Sequence, residues 1–474
     1  MIGLGSGTAW AQQESPYTIT PRLNLSTTVT DNVNLAPPGE EQHDMIFRVS
    51  PGISARADGN RIRGAADYTL RNSYYARNSD RNDATHLLNA RGNAELAEDF
   101  LFLDVYGRRR EQAFSLLDPT ALDEGVGPGG TEITTWGISP YVTQRFGRVA
   151  DATARYGYER TLYGSGISRD FNRELYEVDV DSGPLFGQTF WSMNYDRQEI
   201  RYRRSAQLEE QEGLGDEVIF ETVSGTLGRQ LSPTFRVFGT VGEERNRFES
   251  DLDDRDGSFW EAGFGWAPTR NTSLEASYGD RFFGRTRSLS LQHRRRNTVW
   301  SATYGEQIST NQVDTEVSLD ELLGLPPGTF PEAEPLVISR EEVSIFERAQ
   351  ASVTYTLPRS RWTLQAFHSE REFLQTTAVT TQRSQEQTGV RGRLSWDLGP
   401  RTTYEASLRY ARATFLESEG DRERLWSARF GVNHDIGQNV RGSVFYRHQN
   451  RSGDGDTPRD YRENAITASL LMTF

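Results

Sequence analysis

The stretch TTWGISPYVTQRF, Thr134 to Phe146, sorts its residues by parity. Trp136, Ile138, Pro140 and Val142 fall on one side, and Thr135, Gly137, Ser139, Tyr141 and Thr143 on the other. Side chains of an extended chain point alternately to its two faces, so this stretch is a strand with one greasy and one wet face. The reading repeats along nearly the whole chain. FWEAGFGWAP groups Trp260, Ala262, Phe264 and Trp266 opposite Glu261, Gly263 and Gly265. AQASVTYTL groups Ala349, Ala351, Val353, Tyr355 and Leu357, and TYEASLRYA groups Tyr404, Ala406, Leu408 and Tyr410.

About 22 such segments are expected, within a range of 16–24, each near the ~10 residues that a tilted strand needs to cross a bilayer. The linkers between them alternate in length. Short ones such as DGN (Asp58–Asn60), EDF (Glu98–Phe100), FGR (Phe146–Arg148), PRS (Pro358–Ser360) and GPR (Gly399–Arg401) carry hairpin residues. Between these lie longer polar linkers, among them APPGEEQHD (Ala36–Asp44) and RSGDGDTPRD (Arg451–Asp460), the longest spanning about 307–345. A soluble sandwich has no reason to shorten every second loop. A transmembrane barrel has tight periplasmic turns and long extracellular loops, and its closure leaves no sheet edge exposed. The expected fold is therefore all-β: a single antiparallel up-and-down transmembrane β-barrel.

Bulk composition agrees. The chain has 474 residues, a formal net charge of −14 and only 35% hydrophobic residues. Soluble domains of this total length would need apolar core runs that are missing. No stretch reaches the ~18 apolar residues of a membrane helix. Disorder is argued against by 24 Phe, 19 Tyr and 9 Trp. The acidic balance argues against nucleic acid as a partner, which demands a basic face. There is no cysteine, and the 53 basic residues are all Arg.

At the start, Ala9-Trp10-Ala11 has the A-x-A form of a cleavage site. Residues 1–11 are read as the remnant of a signal peptide, and 12–474 as one outer-membrane barrel domain. Only about six residues then precede the first strand, which leaves no room for a plug domain of the kind found in TonB-type receptors. At the other end, AITASLLMTF places Ile466, Ala468, Leu470, Met472 and Phe474 on one face. A last strand ending on an aromatic looks like the assembly signal of bacterial outer-membrane barrels, with Phe474 as its terminal residue. The expected location is the outer membrane of a Gram-negative bacterium, as an integral multi-pass protein.

Three early stretches carry more than a generic pattern: TDNVNL within Ile19–Pro37, SPGIS within Phe47–Leu70 and LFLD within Asn93–Gly107. They resemble a family of outer-membrane β-barrels that accompany exosortase/PEP-CTERM and exopolysaccharide systems. The resemblance covers about a quarter of the chain. It implies a porin-like role beside polysaccharide export and brings no catalytic residues.

If the apolar parity meets lipid, the other parity lines a lumen. That lumen would carry Arg48, Arg63, Arg71, Arg91, Arg108, Arg145 and Arg155 from the early strands. Late strands would add Arg391, Arg393, Arg409, Arg429, Arg441 and Arg447. Acids Glu177, Asp179, Asp181 and Asp196 would form a sector of their own. Two readings stay open: a network of Arg–carboxylate pairs stiffening the wall, and a water-filled channel whose basic and acidic sectors face each other. Inward aromatics Phe102, Tyr106, Tyr141, Phe238, Phe367 and Phe445 would either fill lumen volume or stack sugars. On the lipid parity stand Trp136, Trp191, Trp260, Trp266, Trp300, Trp362, Trp396 and Trp426, expected as a membrane girdle.

The six histidines lack ligand spacing, DLDDRDG (Asp251–Gly257) departs from a calcium loop, and no nucleophile elbow or phosphate loop is present. No enzyme activity, cofactor or metal is expected. Ser318 and Glu321 have capping-box spacing, so a short helix is expected in the long linker. The leading function is a porin-like channel for polysaccharide, oligosaccharide or other polar solutes. The alternatives are a structural or docking barrel of a secretion system and, less favoured, an outer-membrane enzyme. The expected partners are outer-membrane lipid and lipopolysaccharide, the barrel assembly machinery and polysaccharide export components.

Overall fold

The computed structural model describes residues 17–113, 130–164, 169–203, 216–250, 255–310, 343–374, 384–415, 421–454 and 460–474. The linker helix around Ser318, most of the acidic DLDDRDG stretch and the N-terminal leader lie outside them.

The described residues form 22 strands. The first six are β1 (Tyr17–Thr30), β2 (Asp44–Asp58), β3 (Ile62–Tyr75), β4 (Asp83–Ala97), β5 (Leu101–Ala113) and β6 (Gly130–Phe146). Next come β7 (Ala150–Tyr163), β8 (Phe171–Ser182), β9 (Thr189–Tyr202), β10 (Glu217–Ser232) and β11 (Phe235–Arg247). Then follow β12 (Gly257–Thr269), β13 (Thr272–Arg281), β14 (Gly284–Arg294), β15 (Thr298–Thr310), β16 (Val343–Leu357) and β17 (Ser360–Phe373). The last five are β18 (Ser384–Gly399), β19 (Thr402–Phe415), β20 (Asp421–Asp435), β21 (Val440–Gly453) and β22 (Tyr461–Thr473).

Each strand pairs antiparallel with its sequence neighbours, and β22 returns to pair with β1, from Arg22 opposite Thr473 to Thr30 opposite Ala465. The sheet is thus a closed 22-stranded ring with no free edge. One end carries tight turns and both described termini; the longer connections lie at the other. One connection breaks the alternation: Phe282 and Phe283 alone join β13 to β14 at the long-loop end, where Gly284 has φ +119°. The longest connection, between Thr310 and Val343, is shorter at both ends than the expected 307–345, because β15 and β16 hold their pairing to Thr310 opposite Val343.

Burial follows parity. Met45, Phe47, Val49 and Ile53 on β2, Val223 and Leu227 on β10, and Trp260, Phe264 and Trp266 on β12 are exposed large apolar residues on one face. That face is the outer wall. Polar residues such as Arg48 and Ser50 on β2 and Gln385, Gln387 and Arg391 on β18 occupy the inner one, sealed from solvent. The distribution is inside-out relative to a soluble domain, as a sheet surrounded by hydrocarbon requires.

Seven of the eight strand tryptophans stand exposed on the outer wall, and Trp191 is half-buried against Phe186, edge to face at 5.8 Å. They fall into two rings. Trp191, Trp266, Trp300, Trp362 and Trp396 lie two or three residues from the short-turn end of their strands; Trp136, Trp260 and Trp426 lie nine or ten away. At a rise of about 2.6 Å per tilted residue the rings are ~18 Å apart, the spacing of interfacial girdles just inside an apolar band.

Candidate functional site: the lumen wall

Register decides what lines the lumen. By its pairing, each of the seventeen charged residues expected there sits on the inner parity of its strand, from Arg48 on β2 to Arg447 on β21. They do not form one uniform surface. The wall divides by height into a packed half and a wet half.

In the long-loop half, charges are paired or buried. Glu463 on β22 is fully buried, accepts from Arg447 Nη2 at 2.9 Å and Nε at 3.2 Å, and accepts from the Thr30 hydroxyl at 2.9 Å. This triad ties β21, β22 and β1 together across the seam where the ring closes. Arg451 donates to Glu423 at 2.5 Å, and Arg281 pairs with the buried Glu244 while lying over the Phe259 and Phe283 rings. Arg48, Arg371, Arg391, Arg409 and Arg451 are all under 10% exposed, so the inner wall at this level is sealed rather than washed by solvent. Arg71 pairs with Glu111 at 3.5 Å; Arg108 lies half-buried on β5.

Mid-wall, a network runs across β4 to β9. Asp104 accepts from Asn93 Nδ2 at 2.6 Å and from Arg155 Nη1 at 2.7 Å. Arg155 also reaches Glu177 at 3.6 Å and lies over the Tyr141 ring, which stacks on Phe102 with centroids 5.0 Å apart. Tyr106 donates to Glu159, which also takes Arg173 at 2.7 Å. On β8 and β9, Asp179 accepts from Asn194 at 2.6 Å; Asp196 and Glu177 sit beside it, and Asp181 is exposed.

Toward the short-turn end the wall opens to water. Arg56, Arg63, Arg91, Arg393 and Arg441 are exposed on the inner parity. Arg63 keeps a loose contact with Asp58 at 3.9 Å, Arg441 pairs with Asp435 at 2.6 Å, and Arg145 pairs with Asp151 at 2.8 Å. Arg91 and Arg393 form no salt bridge among the described residues. In a ring of 22, strands eleven apart face each other, so the acids of β8 and β9 look across at β19 and β20, the strands of Arg409 and Arg429.

Sequence reasoning did not reveal how the inward aromatics sit. Tyr106, Phe190, Phe238, Phe259, Phe367 and Phe445 each face a glycine as direct register partner: Gly137, Gly228, Gly263, Gly242, Gly389 and Gly431. A Cβ at any of these glycines would overlap the ring, 2.6 Å away at Gly137 and 2.5 Å at Gly389. The rings therefore lie flat on the wall, covering backbone that glycine leaves bare. They thicken the wall without crossing the lumen. Arg22 uses the same device, lying over Gly52 to donate to Ser54, Asp67 and Thr69 at 2.8, 3.0 and 2.8 Å.

The strand histidines serve the wall. His86, His293, His368, His434 and His448 bond across to Tyr68, Thr272, Thr388, Thr402 and Asn464 at 2.8–2.9 Å, each on the outer parity. Among the described residues no group of three or more His, Cys, Asp or Glu is placed to hold a metal ion.

No family model and no curated protein matches the chain. Solved structures do. The FrpB iron transporter from Neisseria meningitidis, F5-1 variant in its apoprotein form, matches at 11% identity over 97% of this chain and 81% of that one, with a TM-score of 0.56. Its F3-3 variant matches at 12% identity over 98% and 82%, TM-score 0.55. The ferric enterobactin receptor PfeA from Pseudomonas aeruginosa, in complex with BCV-L6, matches at 11% identity over 96% and 81%, TM-score 0.52. At this identity the likeness is one of fold: a large outer-membrane-type β-barrel.

Proposed function

We propose that this chain is an integral channel of the Gram-negative outer membrane, passing polar and anionic solutes, saccharide polymers of an exopolysaccharide export system among them. In this reading the tight turns face the periplasm. The carrying observation is the wet half of the lumen, where Arg91 and Arg393 stand exposed with no salt bridge among the described residues. Fixed positive charge in a water-filled mouth concentrates anions and rejects apolar molecules. The acids of β8 and β9 set a transverse field that orients a polar chain as it enters. Because the charges of the upper wall are packed away, the exposed arginines of the lower half are expected to set the ion selectivity. Lipopolysaccharide and outer-membrane lipid surround the wall, and the barrel assembly machinery inserts it. No enzymatic step belongs to this function.

A docking barrel, closed by its own side chains and recruiting export components, is the second reading. The burial of Arg48, Arg371, Arg391, Arg409 and Arg451 favours it. Planar-bilayer recording separates the two. Purified, folded protein that opens small ion-permeable channels supports the channel; folded protein that stays electrically silent supports the docking barrel.

A further inference from the structure

The outer wall is not uniform around the ring. Apart from Arg229 near a tight turn, outward-facing charges on the described strands lie seven or more residues from the short-turn end. Arg109 is eight residues from Leu101, Arg160 ten from Ala150, Arg197 eight from Thr189, Glu243 eight from Phe235 and Glu306 eight from Thr298. These charges form a collar beginning about the level of the upper tryptophan ring, and nearly every strand from β5 to β22 contributes. The outer parity of β1 to β4 contributes none: those four adjacent strands carry no Asp, Glu or Arg on that face over their whole length.

In place of the collar, β1 to β3 carry exposed apolar side chains. Val29 (twelve residues from Tyr17), Phe47 and Met45 (eleven and thirteen from Asp58) and Tyr74 (twelve from Ile62) are 53, 43, 37 and 51% exposed. They stand higher than Trp136, Trp260 and Trp426, where hydrocarbon gives way to headgroups and water. An exposed apolar patch at that level is not accounted for by lipid and marks a protein contact. Lower on the same face, a groove of about 520 Å³ runs over the small residues Ala55, Ala57, Gly64, Ala66 and Ala90. Tyr17 and Ile19 stand beside it, 62 and 64% exposed.

We propose that β1 to β4 form the interface of a homodimer in the membrane plane, on the reading of the barrel as membrane-spanning. Two features select a second copy as the occupant. The patch carries both a depression and the projecting side chains to fill it, which suits a twofold contact in which a surface meets itself. It is also the only run of adjacent described strands along which two copies can touch over the full height without desolvating fixed charge. Contact through β15 to β18, for example, would press Glu306, Glu347, Glu370 and Glu386 against their counterparts, with the desolvation that entails.

The native chain has no cysteine, so introduced thiols report without background. Ala57→Cys, Ala66→Cys and Ala90→Cys, made singly in the full chain and oxidised in isolated outer membranes, are expected to give a disulfide-linked dimer from at least one position. Its yield should exceed at least tenfold that of Ala262→Cys, Ala351→Cys and Ala406→Cys on the remaining outer wall. Adding Tyr74→Arg or Met45→Arg, both above the apolar band and so compatible with insertion, should abolish the cross-link while the protein still shows heat-modifiable migration. Cross-linking of all six positions equally, of none of the first three, to a band of another mass only, or undiminished by either folded arginine variant, overturns the interface. Channel conductance is a separate readout, so the dimer and the channel stand or fall independently.

Discussion

The ring of Phe445 on β21 lies flat across Gly431 of β20, its direct register partner, and the Arg429 guanidinium covers the ring from the lumen at 4.0 Å. Glycine, aromatic ring and arginine make a layered wall. Gly431→Ala forces the ring off the backbone and should cost about 1–3 kcal/mol, the usual cost of overpacking. Urea unfolding from phospholipid vesicles measures it. In a Phe445→Ala background the same change should cost much less, because no ring is left to displace. Equal costs in both backgrounds would show that the ring and the glycine are not coupled.

A buried ion pair reinforces the ring closure. Glu463→Ala removes the buried carboxylate that Arg447 and Thr30 share and should destabilise the barrel by about 3–5 kcal/mol. Glu463→Gln keeps an acceptor for the Thr30 hydroxyl and should cost less. The midpoint of heat-modifiable migration on gels ranks the three proteins. An unchanged midpoint for Glu463→Ala would mean that the seam is held by backbone pairing alone.

Four carboxylates stand in one cross-strand row on the outer wall. Glu306 faces Glu347, Glu347 faces Glu370 and Glu370 faces Glu386 as register partners. Like charges directly opposite oppose strand pairing. Glu370→Gln should therefore stabilise the barrel by roughly 0.2–1 kcal/mol at low ionic strength. Salt should erase the gain as it screens exposed charges. A loss of stability on this substitution, measured by the same unfolding assay, would contradict it.

Arg91 and Arg393 supply fixed positive charge in the wet half of the lumen. Arg91→Glu combined with Arg393→Glu should move the reversal potential under a salt gradient toward cation selectivity, with the fold intact. An identical reversal potential would place the permeation path away from this wall.

Much of this was legible in the chain. Period-two alternation survives as text because each strand's face is set by its own residues, and TTWGISPYVTQRF shows Trp136 and Tyr141 on opposite sides before any partner is known. The strand number and the outward tryptophans follow from such local patterns. What a residue meets across the strand does not. Gly137 and Tyr106 are 31 residues apart in sequence, and only the register makes them neighbours. The same limit hid the Glu463–Arg447–Thr30 seam, which joins the two ends of the chain, and the glutamate row, whose members come from four strands. The tight Phe282–Phe283 hairpin escaped because two aromatics carry none of the usual turn composition; only Gly284 after them marks it. The split of the lumen into sealed and wet halves depends on height, which no single strand encodes.

The central claim is that lipid touches one parity of each strand and water the other. Spin labels attached one at a time to cysteines at positions 403 to 408 of β19, outside the proposed dimer face, test it directly, with the protein in lipid vesicles. Labels replacing Tyr404, Ala406 and Leu408 should collide mainly with oxygen dissolved in lipid. Labels replacing Thr403, Glu405 and Ser407 should collide mainly with a water-soluble nickel chelate, giving accessibilities that alternate out of phase. Accessibilities that do not alternate, or that alternate in the opposite phase, would contradict a barrel with hydrocarbon outside and a wet lumen within.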